Sequence, residues 1–158
     1  KGLGLILEDT ITRNVTLAAL EKVSERAVLD TGAERKVAED YRMALRIRTP
    51  SVHQKTMNLS GGNQQKVVLA KWLNARARIL ILDHPTRGLD VGAKEEVYEL
   101  VRAVSAEGVS VILTSDTLEE TIGLSHNVLV MRDGRITHRT DASPGHKPAQ
   151  LDLIAHMV

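Results

Sequence analysis

Two short stretches, one following directly on the other, constrain this chain more than anything else in it: residues 58–78, NLSGGNQQKVVLAKWLNARAR, and then ILILDHPTRGLD. In the first, a serine and two glycines precede apolar residues at Val68, Leu69, Trp72 and Leu73. That spacing predicts a helix with Ser60 at its N-terminus. The leading N–H groups of a helix lack intrahelical partners and carry about half a positive charge, and glycine lets an oxygen approach the backbone closely. The pattern reads as an anion site or, more plainly, as a capping serine with a glycine turn. The second stretch favours the anion site. Ile79-Leu80-Ile81-Leu82 is a continuous apolar run ending in Asp83, as expected of a strand buried on both faces of a parallel sheet. A carboxylate at the carboxyl end of such a strand faces the ligand crevice and can hold a hydrated Mg²⁺ against phosphates.

Around this centre the chain alternates. A helix over residues 94–107, a strand over 109–113 and a helix over 117–124 follow, and alternation of this kind implies α/β structure with parallel strands and right-handed crossovers. After residue 126 the period changes. Val128 to Met131 and Arg135 to Thr137 are joined by Asp133-Gly134, a strong hairpin signal. A Pro-, Gly- and Ser-rich tract, residues 141–148, leads to a last helix over 149–157. Before residue 58 the spacing fits helices over residues 11–24 and 33–47, separated at Thr31-Gly32 and ended by Thr49-Pro50. Lys1 to Leu7, with two glycines and no initiating Met, reads as a cut end. The expected organisation is therefore a helical subdomain over about 8–58, a core over about 59–125, and a C-terminal hairpin and helix over about 126–158.

Bulk properties exclude several classes. The 158 residues carry 21 basic and 20 acidic side chains, a net charge of +1, without the basic stripe that nucleic-acid binding needs. Cysteine is absent, which removes disulfides and thiolate metal sites. No apolar stretch reaches the ~20 residues that span a bilayer, so no direct membrane insertion is expected. Phe is missing as well, and Trp72, on the expected apolar face of its helix, reads as a core anchor. His53, His126, His138, His146 and His156 show no metal-ligand spacing and read as solvated polar residues.

LSGGNQQ, then LILDHPTRGLD, then LTSD after another apolar strand, resembles an ABC-transporter ATPase. LSGGNQQK with PTRGLDVGAK is most similar to the second, C-terminal ATPase half of the tandem ATPases that power bacterial importers of ribose, xylose, galactose and arabinose. The match is specific over residues 57–135 and looser on the flanks. It implies a P-loop NTPase type of α/β fold, a parallel sheet with helices on both faces, and a small helical subdomain. It also implies the cofactors ATP and Mg²⁺, a second ATPase half carrying a P-loop, transmembrane permease subunits, and a place in the cytoplasm, peripheral to the inner membrane.

The resemblance also assigns roles, residue by residue. Ser60, Gly61, Gly62 and Gln64 form the signature that meets the ATP of the partner half, Asp83 holds Mg²⁺ through water, and Asp90 lies in the loop that touches the opposing half. The plainer reading of Asp90 is an N-cap of the helix that follows. Two positions depart from the family. His84 stands where a catalytic glutamate is usual, and Ser115 where a switch histidine contacts the γ-phosphate; serine donates one hydrogen bond but carries no charge. No G-x-x-x-x-G-K-[ST] occurs anywhere in the chain, so the chain reads as an ATPase half truncated before its signature subdomain, without a P-loop. Its own ATP site is expected to be hydrolytically inert and its signature to complete the site of the partner half. Two other readings stay open: a non-hydrolysing module that docks on a transmembrane partner, and a soluble ABC-type ATPase unconnected with transport.

Overall fold

The computed structural model describes residues 4–157; residues 1–3 of the opening glycine-containing stretch lie outside the described residues. The chain forms two compact units. One runs up to Leu80 and includes Gly88–Ser110; the other comprises Ile81–Arg87 and the chain from Val111 onward.

In the first unit, α1 (Ile11–Thr16) is capped by Thr10, whose hydroxyl accepts from the Arg13 N–H, and continues as a 3₁₀ segment, Leu17–Val23, broken at Ala19. The single helix expected over residues 11–24 is therefore two short pieces, leading into a two-residue hairpin of β1 (Ser24–Glu25) and β2 (Val28–Leu29). α2 (Thr31–Ala44) begins earlier than expected because Asp30 accepts from the N–H groups of Gly32 and Ala33; an acidic N-cap outweighs the low helix propensity of Gly32. α1 packs on α2 and on α3 (Gly61–Asn74). The small core holds Ile11, Val15, Val52, Val67 and Val97 with no exposed surface. Buried polar groups are paired: Asn14 Nδ2 donates to Ile6 O, Thr10 O and Thr56 Oγ1, each at 2.9 Å, and Thr16 Oγ1 donates to Glu34 at 2.7 Å.

The inward face of α3 is Gly62, Lys66, Val67, Leu69, Ala70 and Asn74. Trp72 is not in it. It is 43% exposed, with the Lys71 ammonium 5.2 Å from its ring centroid, so the core-anchor expectation is corrected: the buried stripe runs through positions 62, 66, 69, 70 and 74, one step round the helix from Trp72. α4 (Val91–Ala106) packs on α3 and buries Val97, Val101 and Val104.

β3 (Ile79–Asp83) pairs with β4 (Ser110–Thr114). The Ser110 N–H donates to Arg78 O at one end and the His84 N–H to Thr114 O at the other, so the strands run parallel, with Asp83 beside Thr114. The apolar run of β3 is buried on one face only. Leu80 and Leu82 are inward, whereas Ile79 and Ile81 are 61% and 72% exposed, which corrects the expectation of a strand covered on both faces. A four-residue aliphatic run has no polar alternation to reveal which face is open.

The second unit is built on the antiparallel pair β5 (Asn127–Arg132) and β6 (Arg135–Asp141), turned by Asp133 and Gly134 at φ 51° and 75°, the left-handed geometry that makes Asp-Gly a hairpin signal. Val128 and Val130 bury one face against Ala142 and Leu153, the latter on α6 (Gln150–Ile154), and against Leu118 and Ile122 of α5 (Leu118–Leu124). The Lys147 ammonium donates to Ile122 O and Ser125 O at 2.7 and 3.0 Å, closing the C-terminus of α5 with the Pro- and Gly-containing tract.

Candidate functional site

The two motifs fall in different units. At the start of α3, Ser60 is the N-cap: its Oγ accepts from the Asn63 N–H at 3.4 Å and from Asn63 Nδ2 at 3.0 Å. Asn63 Oδ1 in turn accepts from the Arg48 N–H at 2.9 Å. These contacts consume acceptor capacity on Ser60 and leave its hydroxyl proton and the first backbone donors of the helix to an incoming anion. Gly62 has a packing reason as well. A Cβ there would lie 3.0 Å from the Ala93 Cβ, so the glycine is what allows α3 and α4 to meet this closely. Gln64 is held inside the loop, its Nε2 donating to Thr56 O and Leu59 O at 3.2 and 3.3 Å. Asp90 caps α4, accepting from the Ala93 N–H at 2.8 Å. Nearby, Glu96 of α4 meets Lys66 at 2.9 Å and Arg48 at 2.9 Å; the hydrogen bond from Lys66 is the first cause holding its carboxyl below the usual range.

The second cluster is formed by the turns after β3 and β4. Asp83, its side chain 78% exposed, accepts from Thr114 Oγ1 at 2.5 Å and lies 3.6 Å from His84 Nε2. Both contacts fall on Oδ1, so the second oxygen is available to a water of a hydrated cation, and a single hard carboxylate suits an ion that keeps its own water. His84 sits in the left-handed region at φ 45°, which tips its ring between two carboxylates. Its Nδ1 is 3.1 Å from Asp116 Oδ1 but out of line for a hydrogen bond, and so is a buried nitrogen without a hydrogen-bond partner. Arg87 approaches Asp116 at 3.8 Å.

Ser115 points elsewhere. Its hydroxyl donates to the carboxylate of Glu120 and its oxygen accepts from the Thr117 N–H at 3.1 Å. Glu120, 6% exposed, also takes the hydroxyl of Thr86, 2.8 Å from Oε1 and 2.9 Å from Oε2. Sequence reasoning singled out neither Asp116, Glu120 nor Thr86. No local sequence signal marked them, since the burial of Glu120 and its contact with Thr86, 34 positions away, exist only in the fold.

Residues 4–87, more than half of the chain, match the family described as ABC transporter. The chain belongs to that family. The xylose import ATP-binding protein of Geobacillus kaustophilus is 48% identical over 137 residues, covering 87% of this chain and 27% of that protein. The ribose import ATP-binding protein of Rubrobacter xylanophilus is 49% identical over 136 residues, covering 86% and 27%. This ABC chain thus spans about a quarter of the length of the curated relatives it matches. Among solved structures, the dimeric structure of a bacterial ABC transporter cassette superposes with a TM-score of 0.74 at 23% identity, over 90% of this chain and 60% of that one. A post-hydrolysis dimer of an ATP-binding cassette bound to ADP and Pi gives 0.73 at 24%, over 87% and 59%. At such identity these two establish the P-loop NTPase type of fold. Among the described residues no helix is long and apolar enough to cross a membrane.

Proposed function

We propose that this ABC chain belongs to the ATP-binding component of a carbohydrate importer, in which ATP binding and hydrolysis drive uptake through transmembrane permease subunits, peripheral to the inner membrane on its cytoplasmic side. The observation that carries the reading is the start of α3. Ser60 caps the helix while keeping its hydroxyl proton, and the Gly61-Gly62 backbone and the helix dipole face the same way, a donor set suited to the terminal phosphate of ATP. The names of the relatives, import ATP-binding proteins for xylose and ribose, supply the transport context. The P-loop for that phosphate belongs to a second ATPase half, so the signature of this chain completes a site whose lysine lies elsewhere.

At the other cluster, Asp83 fits a hydrated Mg²⁺, which supplies charge neutralisation at phosphate oxygens when bound. His84 occupies the place of a carboxylate base with its ring held between Asp83 and Asp116, and this half is accordingly silent in hydrolysis. Steady-state ATPase activity tests the division of labour in an assembly with a P-loop-bearing half and the permease. Gly61→Asp puts like charge where the helix N-terminus should meet an anion and abolishes turnover; His84→Ala lowers it far less. Equal losses from the two variants would overturn the proposal.

A further inference from the structure

Three hydroxyls stand at the carboxyl ends of β3 and β4, and each spends its single proton on a carboxylate: Thr114 on Asp83, Thr86 on Glu120, Ser115 on Glu120. A serine hydroxyl has one proton and two lone pairs. With the proton on Glu120 and one lone pair taken by the Thr117 N–H, Ser115 has a single lone pair left to offer a ligand, and a phosphate oxygen needs a donor. Glu120 is buried and meets both turns at once, tying Thr86, three residues after Asp83, to Ser115, next to Asp116.

We infer that Glu120 is a positioning residue that holds the Ser115 hydroxyl away from any phosphate at the end of β4, so that this site grips its nucleotide loosely. The inference rests on the nucleotide-site reading above, and it makes Ser115 silent for a reason in its surroundings rather than in its own chemistry. Freeing the hydroxyl should therefore strengthen binding. A hydrogen bond to a charged group is worth about 1.5–3 kcal/mol, so the gain at the non-hydrolysing site should be about tenfold or more in affinity.

Two measurements test this. In the 158-residue chain, proton NMR should show a slowly exchanging Ser115 hydroxyl with a cross-peak to the Glu120 methylene protons; a freely exchanging hydroxyl overturns the inference whatever the assembled ATPase does. In the assembled ATPase, Glu120→Met removes both acceptors at nearly constant volume, and Glu120→Leu, which also carries no acceptor, is the second variant should the first not fold. Retention of labelled ATP at the non-hydrolysing site should rise in the Glu120 variant, and adding Ser115→Ala should cancel the rise. A merely structural role predicts weaker retention in the Glu120 variant, and that result overturns the inference, as does a tenfold loss from Ser115→Ala alone. If the NMR signature is present and wild-type protein retains no nucleotide at all, the Glu120 tie stands and the nucleotide reading fails instead.

Discussion

His84 is the residue at which local geometry and chemistry meet most directly. Left-handed backbone costs an L-residue roughly 1–2 kcal/mol, less for Asn, Asp and His than for others, and here φ 45° aims the ring between Asp83 and Asp116. A β-branched side chain cannot adopt this conformation cheaply. His84→Val is expected to lower unfolding stability by about 1–2 kcal/mol, whereas His84→Gly stays within about 0.5 kcal/mol of the parent; urea unfolding of both variants checks this. The sequence marked His84 as unusual but gave no sign of its neighbour Asp116, because their approach depends on two strand ends lying side by side, 32 positions apart in sequence. The same holds for Glu120, whose role is visible only once Thr86 and Ser115 are seen to converge on it. Ser60 and Asp90 were legible, since an N-cap needs only the local order of residues.

Among elements, the contact of α3 with α4 is set by one small residue and one charge cluster. Gly62 gives the close approach to Ala93, and Lys66, its side chain 4% exposed, sits between Arg46 O at 3.0 Å and Glu96 at 2.9 Å. Removing the carboxylate by Glu96→Ala leaves a buried ammonium with one carbonyl. The expected loss is about 2–3 kcal/mol, below that of a wholly buried pair because Glu96 is half-exposed. A pH dependence goes with it. The Glu96 carboxyl is held below its ordinary value of 4.5, first by the Lys66 hydrogen bond, so the folded state binds this proton more weakly than the unfolded one. The stabilisation is therefore fully present above pH 4.5 and is lost as pH falls through the lower folded value. Thermal unfolding measured from pH 6 downward should show an acid-dependent decline that is shallower in Glu96→Gln; an unchanged slope would refute it. Turn chemistry made the β5–β6 hairpin readable from Asp133-Gly134 alone. The break at Ala19 was not readable, since residues 11–24 carry no proline or glycine and the kink comes from tertiary packing of Ala19 and Val23 in the core.

For the whole molecule, two expectations concern ligand and association. No phosphate-cradling motif with its lysine occurs in the 158 residues, so the isolated chain should gain no thermal stability from millimolar Mg-ATP. A site saturated at ~100 times its dissociation constant would add ~2.7 kcal/mol, a shift that calorimetry resolves easily. Association follows from the open sheet face. Ile81 and Ile112, 72% and 55% exposed, point outward from β3 and β4, where parallel pairing sets the strands side by side. Paired aliphatic side chains on a sheet surface are poor company for water, and exposed strands recruit other chains. The isolated chain is therefore expected to self-associate as concentration rises. Ile81→Thr with Ile112→Thr should suppress this without unfolding the protein, because threonine keeps the β-branched shape that a strand favours and replaces a methyl-bearing arm with a hydroxyl that water can solvate. Light scattering of both forms across a concentration series decides the matter. A parent chain that stays monodisperse at the highest concentration, or a double variant that associates equally, would show that this face is not what drives association.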